Sequence, residues 1–305
     1  MQPNETEVQQ ARPSFDPNST SGTFVVALVL CLVCALIVSA SAVGLKPLQD
    51  ANAKNKMRRN VLIAAGIWDE TKHTDKDLDK LFKNIEVVFW NLPGADSPTG
   101  SQNTELNDEN FDQFLSSPKG SMEIEPAKDI SGIKRRETVA RVYLVRNNAG
   151  GIQKIVLPIT GKGLWSTLYG FLAVDASTTQ ARGITFYKHG ETPGLGGEIE
   201  NTKWRSGWTG EKSPLELRKV GGDPVLDVTK PGNAKAGNQI DGLSGATITS
   251  NGVENTIRYW LGADGFGPYL DQMAAQNAVP AVEPATVPAA ATESTPAAEA
   301  TPAGN

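Results

Sequence analysis

The hydrophobic pattern divides the chain before any motif is considered. Residues 23–43 (TFVVALVLCLVCALIVSASAV) form an uncharged apolar run. A helix rising 1.5 Å per residue needs roughly 20 such residues to cross a hydrocarbon core, so the run predicts a transmembrane helix. Residues 76–89 (KDLDKLFKNIEVVF) set Leu78, Leu81, Phe82 and Ile85 three and four apart, the stripe of an amphipathic helix. Strand-like stretches follow at 138–146 and 152–159, joined by Asn147-Asn148-Ala149-Gly150-Gly151, whose tolerance of left-handed backbone suits a hairpin. Further buried strands are expected at 171–174 and 183–187. Glycine-dense loops lead to a last helix at 252–261, with Val253, Ile257, Trp260 and Leu261 on one face and Gly262 placed to stop it. Strands and helices mix without a βαβ rhythm, which predicts an α+β domain.

The expected organisation is a disordered polar tail (1–22), a transmembrane helix (23–43), a mixed α+β domain (44–273) and a disordered Ala/Pro-rich tail (274–305). The small residues Ala40-Ser41-Ala42 offer a rival reading of the apolar run as a cleavable signal peptide. A retained anchor is preferred, because the run exceeds a signal's apolar segment of roughly 7–15 residues and only Arg12 supplies basic charge before it. Charge bias complicates orientation: Lys46, Lys54, Lys56, Arg58 and Arg59 follow the span, which by the positive-inside rule would leave the C-terminal domain in the cytoplasm.

Composition narrows the function classes. With 29 basic and 34 acidic residues among 305, the net charge is -5, and no overall positive field invites nucleic acid. The two cysteines, Cys31 and Cys34, both lie in the apolar run, where packing is the simpler account of their CxxC spacing. No G-x-G-x-x-G fingerprint opens a βαβ unit, so no dinucleotide site is expected on this chain.

The densest chemistry lies at residues 241–253 (DGLSGATITSNGV). Glycines permit close backbone approach, and a helix beginning just after Thr247, with Thr249 or Ser250 as N-cap, would present free N–H groups to an anion. The same residues equally describe an ordinary capped helix after a Gly-rich turn. Gly242-Leu243-Ser244-Gly245-Ala246 also approaches a serine-hydrolase elbow with Ala246 in place of the last glycine; His189 could be recruited as its base, and no triad acid can be chosen.

Ser244-Gly245-Ala246-Thr247, followed by ITSNGV, resembles the flavinylation motif of membrane redox proteins. Residues 161–170 (GKGLWSTLYG), 189–199 (HGETPGLGGEI) and 60–66 (NVLIAAG) match, in order, segments of the NqrC family, a component of Na+-translocating NADH:quinone reductases. The likeness covers roughly residues 23–270. It implies FMN joined by a phosphoester to Thr247, with Ser244, Gly245, Ala246 and Thr249 around the phosphate. Trp165 and Leu195 would flank the ring, Glu191 and Thr192 would hydrogen-bond ring or ribityl chain, and Gly194 and Gly196 would let their loop lie against it. The resemblance further implies a single-pass protein of the cell inner membrane with its FMN domain on the periplasmic side. Its partners would be the other subunits of a six-subunit assembly and a flavin transferase. The chain would relay electrons while binding no NADH itself; uncharged residues 23–43 make sodium passage the work of partner subunits. A flavoprotein subunit of the related Rnf complex, a non-redox scaffold and the serine hydrolase are the competing readings.

Overall fold

The computed structural model describes residues 19–94, 97–211 and 213–278. Contacts divide the chain between Arg58 and Arg59 into two compact units. The first is dominated by helix α1 (Thr20–Ala64), whose residues from Arg59 on belong to the second unit and which Ser19 caps by accepting the Gly22 N–H on its hydroxyl at 3.0 Å. Apolar side chains from Phe24 to Leu48 are exposed all around it, as in a helix that does not belong in water. The helix passes Ala40-Ser41-Ala42 and Pro47 without interruption and thus far outruns the apolar stretch. Gly66, at φ +70°, stops it: the Ile67 N–H reaches the Leu62 carbonyl and the Gly66 N–H that of Ile63, both at 2.9 Å, a Schellman closure.

The second unit is a twisted antiparallel sheet between helices. In chain order its elements are α2 (Leu78–Phe82), β1 (Ile85–Asn91), β2 (Ser101–Asn103), α3 (Phe111–Leu115), β3 (Ser121–Glu123), β4 (Arg135–Glu137), β5 (Val139–Arg146), β6 (Ile152–Lys162), β7 (Thr167–Asp175) and β8 (Ala181–Lys188). They continue with α4 (Thr202–Arg205), β9 (Asp227–Thr229), β10 (Gln239–Asp241), α5 (Thr247–Leu261) and α6 (Gly267–Ala278). Six strands make the main sheet in the order β2-β1-β5-β6-β7-β8, and β9 pairs with β10 in parallel apart from it.

Strand alternation gives the sheet two buried faces. Ile155, Leu157, Ile159, Leu172, Ile184 and Phe186 belong to the main core with Val253, Ile257 and Trp260 of α5 and Leu270 of α6. Close seating there rests on glycine: a Cβ at Gly252 would lie 2.2 Å from the Lys162 carbonyl oxygen. The Trp260 indole N–H also donates to the Thr160 carbonyl at 2.7 Å. The intervening positions face the end of α1. Thr185 donates to the Asn60 side-chain oxygen at 2.8 Å, Lys154 Nζ to the Ala65 carbonyl at 2.6 Å, and Gly183 admits the Ala64 carbonyl.

The hairpin and the strands expected at 171–174 and 183–187 are present and longer. Three expectations need correction. The helix expected over 76–89 stops at Phe82, and Ile85 begins β1: Val87, Val88, Phe89 and Trp90 favour extended backbone, and β5 pairs them along the whole strand. The last helix starts at Thr247, five residues before position 252, so Thr249 and Ser250 lie inside it rather than capping it. Residues 274–278 belong to α6, where Met273 and Ala274 are buried and alanine favours the helix. Residues 20–22 likewise belong to α1, whereas the remainder of the two expected tails lies outside the described residues.

Candidate functional site

The site is built where three loops meet at the start of α5. Strand β10 ends at Asp241, and the Gly242 N–H bonds to the Thr229 carbonyl at 2.8 Å. The chain reverses at Gly245, whose φ of +71° would strain a side-chain-bearing residue. Ala246 then serves as N-cap with no side-chain hydrogen bond to offer, and Thr247 is the first helical residue. Ser250 steadies the turn from inside, donating to the Ala246 carbonyl at 3.0 Å and accepting the Leu243 N–H at 2.8 Å. Its contribution was legible only as the N-cap it proved not to be.

Ser244, Gly245, Thr247 and Ile248 are exposed, while Ala246, Thr249 and Ser250 are buried. The first main-chain bond of the helical pattern is Ser250 N–H to Ala246 carbonyl, at 3.0 Å. The N–H groups of Thr247, Ile248 and Thr249 precede it, at the positive end of the helix dipole. A hydroxyl therefore stands beside a helix terminus that its own N-cap side chain leaves uncapped.

The turn at residues 163–166 between β6 and β7, and the loop after β8, are joined to α5 by Glu191. This carboxylate is 5% exposed. It accepts the N–H groups of Leu164 (3.1 Å), Trp165 (3.0 Å) and Ser166 (3.0 Å) and the Thr249 hydroxyl (2.7 Å). Burial pushes its pKa up, but the Thr249 hydroxyl and the N–H groups of Ser166, Trp165 and Leu164 outweigh that and hold it below the ordinary 4.5. The Ser166 hydroxyl accepts the Gly190 N–H at 2.6 Å, a second tie between the same loops.

The Thr192 carbonyl accepts the N–H groups of Leu195 (3.1 Å) and Gly197 (2.9 Å), closing a tight turn through Gly194 at φ +76°. Leu195 is 45% exposed and Trp165 67% exposed. A Cβ at Gly245 would lie 3.1 Å from a Leu195 methyl, so the second loop abuts the turn that carries Thr247. A groove of about 870 Å³ starts at this junction, between Gly194 and Ser244, and runs past Gly242, Lys203 and Trp204.

The predicted site residues thus fall into two sets. Thr247, Ser244, Gly245, Trp165, Thr192, Gly194 and Leu195 are exposed around the junction; Glu191, Thr249, Gly196 and Ala246 are buried beneath it. His189 is no base for Ser244: its Nδ1 accepts the Glu191 N–H at 3.2 Å and its Nε2 faces Glu200 at 3.1 Å. Cys31 and Cys34 lie exposed on α1, away from these loops in sequence and in element.

The FMN-binding domain family matches residues 163–262, from the Trp165 turn to the end of α5. Over 260 residues the chain is 41% identical to the NqrC subunit of the Na(+)-translocating NADH-quinone reductase of Yersinia pestis, covering 84% of this chain and 94% of that protein. The NqrC of Pseudomonas aeruginosa is 40% identical over 264 residues, with 83% and 95% covered. Among solved structures, NqrC of Shewanella oneidensis superposes with a TM-score of 0.62 at 30% identity, over 73% of this chain and 99% of that one. The NqrC structure from Parabacteroides distasonis, at 21% identity, TM-score 0.53 and coverage of 75% and 96%, shares the fold.

Proposed function

The chain belongs to the NqrC family of Na(+)-translocating NADH-quinone reductase subunits, and from that premise we propose that it is the family's FMN carrier, holding the flavin by a phosphoester to Thr247 and relaying electrons within the complex. The observation that carries this reading is the exposed Thr247 hydroxyl on the first turn of α5, beside N–H groups that Ala246 does not cap. A phosphate diester retains negative charge, and a helix N-terminus favours it. Attachment forms the Thr247 Oγ–P bond as the bond from that phosphorus to the leaving group of an activated flavin donor breaks, the hydroxyl proton departing with that group. A flavin transferase supplies the donor.

The neighbouring residues fit such a group. Ser244 offers an exposed hydroxyl, and Gly245 and Ala246 place no bulky side chain of their own beside Thr247. Thr249 contributes its N–H, because its hydroxyl is committed to Glu191. Trp165 and Leu195 provide exposed apolar surface for a flat ring, with Thr192 and Gly194 on the same turn as Leu195. Bound flavin supplies one- and two-electron chemistry; the protein supplies position and dielectric. A fixed carrier suits transfer between neighbouring redox centres in partner subunits, which also conduct sodium.

Helix α1 serves as a retained membrane anchor, supported by an uncharged apolar run longer than a signal's apolar segment of roughly 7–15 residues. The reading also puts residues 59–278 on the periplasmic side, against the charge bias after the span.

The test is direct. Natively matured protein denatured in SDS should keep its flavin fluorescence in the gel, and the peptide containing Thr247 should carry the mass of FMN less one water. Thr247→Ala should abolish both signals, whereas Ser244→Ala should keep them. An unmodified peptide from the native complex overturns the proposal.

A further inference from the structure

Glu191 presents more bonding than a cofactor contact requires. A carboxylate offers about four lone-pair sites on its two oxygens. Here three main-chain N–H groups and one hydroxyl take them at 2.7 to 3.1 Å, and the Ser166 hydroxyl adds a fifth contact at 3.4 Å. Nothing remains to offer a flavin. The three N–H groups are consecutive and belong to the turn displaying Trp165; the hydroxyl belongs to the first turn of α5, two residues after Thr247.

Two glycines exist in this arrangement for the carboxylate's sake. A Cβ at Gly163 would stand 2.6 Å from Glu191 Oε1. One at Gly196 would stand 2.8 Å from Oε2 and 2.6 Å from Thr249 Oγ1. These approaches are too close for any side chain, so Gly163, and Gly196 that the resemblance set against a flavin, instead make room for a buried anion.

Building on the attachment of flavin at Thr247, we propose that Glu191 is a positioning residue and not a flavin ligand: its buried carboxylate locks the Trp165 turn to the first turn of α5, holding the indole at a fixed place relative to Thr247. Gln in its place keeps the volume but turns one acceptor into a donor facing donors, so at least part of the four-way junction must open.

The experiment has two readouts. In flavin-free protein, hydrogen exchange at the amides of Leu164, Trp165 and Ser166 should be slow and should accelerate about ten- to a hundredfold in Glu191→Gln, the equivalent of losing a charge-assisted hydrogen bond. Thr249→Val severs only the arm to α5 and should leave those amides slow. In matured protein, flavin should stay covalently attached in both variants. Its fluorescence, quenched by a held indole, should rise in Glu191→Gln and Thr249→Val to the level of Trp165→Phe, with no further rise in Glu191→Gln combined with Trp165→Phe. Unchanged exchange in Glu191→Gln overturns the proposal, as does a fluorescence gain that adds to that of Trp165→Phe. Should Glu191→Gln fail to fold, Thr249→Val decides by itself: wild-type fluorescence from that variant overturns the proposal. Absence of flavin from the wild-type protein would refute the attachment, while the exchange measurement still judges the clamp.

Discussion

Thr247 and Thr249 carry the same hydroxyl two positions apart on one helix and do different things, because one is exposed and the other points into the Glu191 junction. Glu191 has a measurable consequence for stability. Its folded-state pKa lies below the ordinary 4.5, so the stabilisation it contributes is complete above that value and is lost as pH falls through the depressed one. Urea midpoints of wild type and Glu191→Gln should therefore differ most above the ordinary 4.5 and draw together as pH falls below it; a constant difference would show that the carboxylate's charge is not what holds the junction. In sequence, Thr247 and Trp165 were singled out only by the motifs that carry the family resemblance. That Glu191 and Gly196 serve each other was not legible, since they meet Gly163 and Thr249 only through long-range folding.

At the scale of elements, the sheet holds α5 on one face and the end of α1 on the other, and both contacts depend on glycine. Gly183 stands at φ +153°, and a Cβ there would lie 2.1 Å from the Ala64 carbonyl oxygen. Gly183→Ala should cost about 3 kcal/mol or more, because a strained backbone and a clash with main chain add together. The denaturation midpoint measures it, and a loss within ordinary surface-substitution range would mean the end of α1 does not seat there. Local sequence pattern located the strands from 138 to 187 correctly, as short apolar β-forming runs and a glycine-rich hairpin are local signals. It failed over 76–89, where helical spacing ran into a segment that β5 captures as a strand. It also started the last helix too late, for the reversal at Gly245 rather than a side-chain cap defines where α5 begins.

For the whole molecule, a long apolar helix precedes an α+β domain, and the fold is shared with a solved NqrC structure over 73% of the chain. Which side of the membrane the domain occupies is decided by proteolysis of intact spheroplasts: digestion of residues 59–278 from outside agrees with a periplasmic domain, and full protection reverses the orientation. Hydrophobic spacing alone determined the apolar helix and the α+β class, and contiguous motifs carried the resemblance that led to the family, because length, hydrophobicity and motifs are properties of the chain as written. Only the tertiary structure decided which motif residues face outward and which are consumed beneath the surface. Burial and hydrogen-bond partners come from segments far apart in sequence, and a glycine that could admit a cofactor or a carboxylate is the same letter until the fold brings one of them to it.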